Sequence, residues 1–320
     1  MEIRVDRKLL KKGFISGIRM GWHGFIWMLK ILIPISLLTT FLEWSGVVYW
    51  INFLVEPVMS WLRLPGTAAF PLIIGAISGI YGGIASLSVL PFTRDQMTLI
   101  AIFMLIAHNL IQEGVIQGES GLHPLKATFF RLGAALVTVL VVGQFLDLSS
   151  GSSGLSGTPL PMSEPLVSML KHWGISTLYL TIKIFFILMA ILIVLEVLKA
   201  SGWMASVLKA LTIPLKMMGL RQEVGLLWMA GAFFGVAYGA AVIVGEAKKG
   251  YLTKEELENL HASIGINHSM IEDPALFLTM GLNPFWLWVP RLVMAILFVH
   301  LLRLWQKFAK RFFHQNSLTT

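Results

Sequence analysis

The 320-residue sequence contains no cysteine and few charged side chains. The lack of cysteine excludes disulfides, thiolate metal sites and a cysteine nucleophile. Charged residues make up 13% and hydrophobic residues 56% of the chain, whereas soluble domains average about 25% charged residues. A soluble protein could not cover its surface with so few charges, and the apolar content excludes a disordered chain. The composition therefore predicts an all-α polytopic membrane protein, and we expect it to be neither an enzyme nor a nucleic-acid-binding protein.

Apolar segments occur in two series that are separated by a polar linker rich in Gly, Ser and Pro. This pattern divides the chain into a first repeat at 1–146, which includes an N-terminal transmembrane helix, a linker at 147–170 and a second repeat at 171–320. The segments lie at about 13–42, 47–62, 68–92, 97–118 and 126–146, and at about 173–198, 203–218, 224–245, 258–280 and 285–305.

The two series are copies of each other. When residues 92–135 are compared with the residues 160 positions later, ten of the 44 ungapped pairs are identical, whereas about three or four would be expected from composition alone. The identical pairs include His108 with His268 and Arg131 with Arg291. A shift of 156 likewise aligns two glycine-rich segments, GAISGIYGG and GAFFGVAYG. The sequence therefore indicates an internal duplication.

The distribution of Lys and Arg predicts how the two repeats are oriented. Both termini are basic, and no Lys or Arg occurs between residues 132 and 170. Because basic loops stay in the cytoplasm, we expect both termini inside and the linker outside a multi-pass protein of the cytoplasmic (inner) membrane. Each repeat then crosses the membrane an odd number of times, and the two repeats have inverted topology.

The second and third segments of each repeat are predicted to be something other than simple spans. Pro57 and Pro214 favour interfacial helices in the second segments. In the third segments, glycines suit the tip of a re-entrant hairpin whose backbone amides approach a ligand, and the alternative is a closely packed spanning helix. The hairpin glycines are Gly79, Gly83, Gly235 and Gly239.

The fourth segments contain polar and ionisable side chains near the middle of apolar stretches, where such groups mark functional sites. The predicted substrate- or ion-binding residues are His108, Asn109, Gln112, Glu113, His268, Ser269, Glu272 and Asp273. On a continuous helix, residues four apart would stack, so that His108 would lie over Gln112 and His268 over Glu272. Gly114 and Pro274 predict that each helix breaks just after this cluster. We expect both clusters to converge on one cavity beneath the hairpins.

Three interpretations of these clusters remain open. They could bind a solute or a coupling proton, they could simply tie helices together, or they could hold a divalent metal. His108, His268 and Glu272 are the metal ligands that the sequence offers, although it has no HExxH motif. We expect no cofactor, with a divalent metal as the alternative.

The glycine-rich segments followed by polar helices resemble the gate, or nucleoside-recognition, family of bacterial membrane proteins. That family is related to the membrane part of ferrous-iron permeases, to spore-maturation proteins and to concentrative nucleoside transporters. The resemblance implies a transporter-like fold with hairpins and interfacial helices. It does not imply GTP-driven iron uptake, because the sequence contains no GxxxxGK[ST] motif, and it does not establish a nucleoside substrate.

The first functional hypothesis is a secondary transporter of a small polar solute, either nucleoside-like or an organic ion, with alternating access and coupling to a proton or another ion. The second is a divalent-cation permease. The third is a membrane accessory or scaffold protein that transports nothing. The expected partners are the lipid bilayer and a small solute or ion, and the sequence is compatible with a homo-oligomer.

Overall fold

The computed structural model describes residues 7–148, 165–203, 206, 210, 212–221, 224–248 and 252–316. All regular elements in these ranges are helices, which confirms the all-helical prediction. Besides two short 3-10 turns, they are α1 (Arg7–Trp44), α2 (Val47–Met59), α3 (Ala69–Ser78), α4 (Ile80–Leu87), α5 (Arg94–Ala107), α6 (Leu110–Glu119), α7 (Pro124–Val142), α8 (Leu166–Ala200), α9 (Thr212–Met217), α10 (Gly225–Lys248), α11 (Lys254–Asn267), α12 (Glu272–Leu278) and α13 (Pro284–Asn316).

Within the described ranges, five stretches are long and apolar enough to cross a membrane: α1, α5 together with α6, α7, α8 and Pro284–Arg311 of α13. A sixth is obtained if Trp50–Leu62 and Gly66–Ser78, which meet at 90°, count as one bent span. The same bend is compatible with an interfacial second segment.

Most of the linker, residues 149–164, and part of the second segment of repeat two lie outside the described residues. The conclusion on the membrane rests on the described helices. The protein is therefore a membrane protein with several spanning helices.

Helices α1 and α8 are the first helices of the two repeats, and they pack against each other in antiparallel orientation. The contact uses three glycines one helical turn apart, Gly13, Gly17 and Gly21. A Cβ atom on Gly17 would lie only 2.5 Å from the Cα of Ile193. Towards the other end of α1, Trp173 Nε1 donates a hydrogen bond to Ser36 Oγ at 3.1 Å. Small residues thus let two spanning backbones approach closely, as is common between helices in membranes.

In the first repeat the glycine-rich segment forms a hairpin. Gly79 adopts φ +88°, a conformation that favours glycine, and separates α3 from α4. A Cβ atom on Gly83 would lie 3.3 Å from the Cα of Gly75. Residues eight apart on one helix are about 12 Å apart, so this contact requires the chain to reverse at Gly79. The equivalent glycine of repeat two, Gly235, adopts φ +79° and interrupts α10 at the matching position.

The polar fourth segments are both broken, but not at the predicted place. In repeat one, α5 ends at Ala107 and α6 begins at Leu110, so the break lies at the histidine rather than at Gly114. In repeat two, the break lies between α11 and α12, and Pro274 belongs to the first turn of α12. Proline is tolerated there because the first N–H groups of a helix have no intrahelical partner. The predicted break positions were therefore wrong.

The two breaks share a left-handed residue and a backbone hydrogen bond to a glycine-rich segment, although the second break is two residues longer. Asn109 and Ser269, which occupy equivalent positions, adopt left-handed φ values of 50° and 46°. Each break also bonds to the glycine-rich segment of its own repeat: Asn109 N–H donates to Gly75 O at 2.9 Å, and Met270 N–H donates to Ala232 O at 2.6 Å. The helices that lead into the breaks, α5 and α11, both begin with a Thr capping box. Together with α7 and α13 they form the centre of the molecule.

Candidate functional site

A cavity of about 360 Å³ lies where the two broken helices meet the two glycine turns. Seven of the eight predicted binding residues line it, from both repeats: His108, Asn109, Gln112, Glu113, Ser269, Glu272 and Asp273. The eighth, His268, is fully buried directly behind His108. The structure thus brings both clusters together at one place.

The rings of the two histidines face each other at the wall of the cavity, with His108 at the surface of the cavity and His268 behind it. Their Nε2 atoms are 3.4 Å apart, and the ring centroids are 4.7 Å apart. The Nδ1 atom of His108 lies 2.8 Å from the carbonyl of Met104, and that of His268 lies 3.1 Å from the carbonyl of Gly265. Because a carbonyl only accepts, each Nδ1 carries the hydrogen. In the neutral rings, both Nε2 atoms therefore present lone pairs towards each other.

Carboxylate oxygens surround these lone pairs. Asp273 Oδ2 lies 3.4 Å from His108 Nε2, and the oxygens of Glu113 lie 3.5 Å from His108 Nε2 and 3.4 Å from His268 Nε2. Asp273 Oδ2 is buried and has no hydrogen-bond partner among the described residues. One donor also reaches this point, because Arg131 Nη2 lies 3.5 Å from His268 Nε2. On the His108 side the surrounding groups are acceptors, an arrangement that favours a proton, a cation or a solute that donates hydrogen bonds.

Two buried arginines hold the broken helix ends. Arg131 donates to the carbonyls of Ile106 and His108 at 2.8 and 2.6 Å, and it forms an ion pair with Glu113 at 2.8 Å. Arg291 donates to the carbonyls of the equivalent residues in repeat two, Ile266 and His268. Both side chains are at most 2% exposed. The arginines satisfy carbonyls that a continuous helix would have bonded internally.

Several predicted relationships are wrong. Because the helices break at the histidines, His108 does not stack over Gln112, nor His268 over Glu272. Glu272 instead accepts a hydrogen bond from Tyr81 of the other repeat at 2.7 Å. Among the described residues, His108, His268 and Asp273 have ligand atoms within 4.8 Å of one another, whereas Glu272 was predicted as the third metal ligand. That metal assignment stays a prediction.

The hairpin glycines divide into two classes. Gly79 and Gly235, at the two turns, line the cavity. Gly83 does not, because it packs against Met104 and Gly75 in the interior of the first hairpin. Gly239 lies in α10, and its surroundings are not among those that the structure describes. The structure therefore places Gly79 and Gly235, but not Gly83, at the cavity, and the approach of these glycines to a ligand stays a prediction.

Sequence reasoning missed two aromatic residues of the site. Tyr81 follows the first glycine turn, and its ring packs edge-on against Trp27 of α1, with centroids 5.6 Å apart. Both residues line the cavity. The position of Tyr81, two residues after the predicted hairpin tip, was the available signal. Trp27 carried no such signal, because a Trp in an apolar helix is ordinarily a lipid-facing or interfacial residue.

Comparison with known proteins agrees with the conclusion that the chain is a membrane protein. Residues 25–121 match the family model Gate, whose description is nucleoside recognition, so the predicted resemblance is confirmed over that range. A relative from Bacillus subtilis (strain 168), named "Uncharacterized membrane protein YvoD", is 25% identical over 283 residues, which are 87% of this chain and 89% of that protein. No solved structure matches the chain.

Proposed function

We propose that the protein is a secondary transporter of a small polar solute that works by alternating access between two inverted repeats. The observation that carries this proposal is the cavity, because both repeats contribute equivalent residues to it at their helix breaks. Broken helices that meet near the membrane centre are how many transporters build a substrate site. The antiparallel packing of α1 on α8, which are equivalent helices, supports the inverted arrangement.

The chemistry of the cavity favours a solute that is cationic or donates several hydrogen bonds. A volume of about 360 Å³ lies at the lower end of the roughly 300–1,000 Å³ range of small-molecule sites. Carboxylates and amides supply acceptors, and Trp27 and Tyr81 supply aromatic surface beside them. A nucleoside-like compound or an organic amine fits this combination. The facing lone pairs of His108 and His268 suit a coupling proton.

Binding and uptake by the purified protein test this proposal. Nucleosides and organic amines are first screened for a rise in melting temperature, and each hit is then followed as radiolabelled uptake into proteoliposomes with an imposed pH gradient. We expect Glu272→Gln to abolish uptake, because Glu272 lines the cavity, and Glu119→Gln, at an exposed position on α6, to leave uptake unchanged.

Two outcomes would contradict the proposal. Uptake by Glu272→Gln at the rate of the unmodified protein would mean that the solute does not pass through the cavity. Binding without uptake of any hit, with or without a pH gradient, would instead favour an accessory protein that transports nothing.

We further propose that both termini face the cytoplasm of the bacterial cell and that the linker faces outward. The basic termini and the Lys/Arg-free stretch 132–170 support this orientation. The natural chain has no cysteine, so single-cysteine variants report one position each. A membrane-impermeant thiol reagent added to intact cells should label a cysteine placed within 150–158 and spare one placed near residue 315. Labelling of the tail from outside would refute the orientation.

A divalent-cation permease is the second candidate, and the group of His108, His268 and Asp273 favours it. Imidazole nitrogens and a carboxylate suit Zn²⁺, Ni²⁺ or Co²⁺. Calorimetric titration with Co²⁺, together with its visible absorption spectrum, would detect such a site. Binding that is lost in Asp273→Asn but kept in Glu119→Gln would support the permease, and the absence of a saturable Co²⁺ signal in the unmodified protein would exclude it.

A further inference from the structure

Polar side chains continue from the central cavity along the interface between the two repeats. On α6, its C-cap and the start of α7 they are Glu113, Gln117, Ser120 and Lys126. On α11 and its C-cap they face His268, His261 and Glu258, with Gly265 between the two histidines. We call this set the polar ladder. Glu113, Gln117 and Ser120 are three or four positions apart, as are Glu258, His261, Gly265 and His268, so that each set lies on one helix face. Lys126 lies on the next helix, α7. The sequence alone assigned no role to His261.

The contacts of the polar ladder occur at three successive levels between the buried site and an exposed end. At the inner end, Glu113 Oε2 lies 3.4 Å from His268 Nε2. In the next rungs, Gln117 Nε2 donates to the carbonyl of His261 at 3.3 Å, and Ser120 Oγ lies 2.9 Å from His261 Nε2. At the outer end, Lys126 and Glu258 form an ion pair at 2.8 Å, with 40% of the Lys126 side chain exposed.

The equivalent interface, which is formed by the matching segments α12 of repeat two and α5 of repeat one, is apolar. With the 160-residue shift, Gln117 and Ser120 correspond to Phe277 and Met280 of repeat two, while His261 and Gly265 correspond to Ala101 and Leu105 of repeat one. Phe277, Ala101 and Leu105 are fully buried. The duplication therefore produced one polar and one apolar path from the same starting helices.

Two atoms of the polar ladder need a partner that the described residues do not supply. Gln117 Oε1 and His261 Nδ1 are buried, and neither has a hydrogen-bond partner in the described part of the chain. Buried polar groups that lack a protein partner are generally bonded to ordered water. Gly265 lets Arg131 and Gln117 pack closely here, since a Cβ atom there would lie 3.2 Å from Arg131 Cγ and 3.4 Å from Gln117 Nε2.

We propose that the polar ladder is a one-sided water and proton route, which connects the central cavity to the face of the molecule where α11 begins and α13 ends. Water bound by Gln117 and His261 links the exposed end at Lys126 to the buried carboxylate of Glu113. The apolar counterpart gives no such access to the opposite face. This inference is independent of the transport proposal, because it holds whichever solute the cavity binds.

Hydroxyl-radical footprinting of the unmodified protein in lipid nanodiscs tests the route directly, because the radicals are generated from water beside the side chains that they oxidise. His261 and Phe277 are 2% and 0% exposed, and both rings react readily with the radical. If ordered water fills the polar ladder, His261 should be oxidised at least about tenfold faster than Phe277. Equal protection of the two residues would overturn the proposal.

A variant locates the water within the polar ladder. Gln117→Leu removes the middle polar rung, and it should lower oxidation of His261 by about tenfold if the bound water depends on that amide. Gln144→Leu, at an exposed position beyond α7, is the matched control and should leave it unchanged. Unchanged oxidation of His261 in a folded Gln117→Leu protein would count against the route. If that variant does not fold, the comparison within the unmodified protein decides alone.

Discussion

Replacing Arg131 by methionine is expected to destabilise the protein more than the same replacement of its counterpart, Arg291. Both arginines donate two hydrogen bonds to carbonyls at a helix break. Hydrogen bonds from charged donors contribute about 1.5–3 kcal/mol each. Arg131 alone of the two forms an ion pair, with Glu113; among the described residues Arg291 has no carboxylate oxygen within 4 Å. The two variants lose similar hydrogen bonds, so the difference between their stabilities measures the contribution of the buried ion pair.

Breaking a buried ion pair by removing one partner costs about 3–5 kcal/mol, because the other charge is left uncompensated. Since that figure overlaps with the hydrogen-bond contributions, we expect Arg131→Met to cost roughly 5 kcal/mol and Arg291→Met roughly 3 kcal/mol. At about 2–4 °C per kcal/mol, the melting temperature should fall by more than about 10 °C in the first variant and by about half as much in the second.

The measurement is thermal unfolding in detergent, followed by the fluorescence of the protein's 11 tryptophans. The double variant Glu113→Gln with Arg131→Met should be more stable than Arg131→Met alone by about 1–3 kcal/mol, because the uncompensated carboxylate is gone. If the double variant is no more stable than the single one, or if the two arginine variants melt together, the ion pair does not carry the stability assigned to it.

Five further substitutions, two of them controls, test the packing, the backbone and a hydrogen bond between the repeats. Gly17→Leu should prevent close packing of α1 on α8 and lower the melting temperature, whereas Gly24→Leu, whose Cβ would have 3.8 Å of clearance, should be tolerated. Asn109→Val should cost about 1–2 kcal/mol because of its positive φ, while Asn109→Gly should melt close to the unmodified protein; equal melting of both variants would argue against the left-handed break. Tyr81→Phe should cost about 1.5–3 kcal/mol through the lost hydrogen bond to Glu272, and an unchanged melting temperature would show that this bond contributes nothing to joining the repeats.

The polar residues of the site could be predicted from the sequence because duplication and hydrophobicity both point to them. His108 and His268 stand out as equivalent polar positions within apolar segments, and the structure places their rings in contact. The exact break position could not be predicted in the same way. Gly114 is a weak helix former, but it lies inside α6, and the helix ends earlier, where a carbonyl is held by Arg131 from 23 residues away. Contacts over such distances leave no local pattern.

The α1–α8 interface and the polar ladder also have signals in the sequence. The spacing of Gly13, Gly17 and Gly21 is typical of helix contacts in membranes, and it predicts the α1–α8 interface. His261 lies seven residues before His268, on the same helix face, and its counterpart is Ala101. The polar ladder is indicated by this difference between the repeats, whereas the central site is indicated by their similarity.

The contrast between the two halves has a consequence for symmetry. A symmetric dimer of identical half-length chains carries every substitution twice, so it could not hold a histidine at one interface and an alanine at the equivalent one. In a single chain, His261 and Ala101 are independent positions, as are Gln117 and Phe277. The single chain is therefore free of the constraint that keeps the two interfaces of such a dimer alike, and one interface can be polar while the other is apolar.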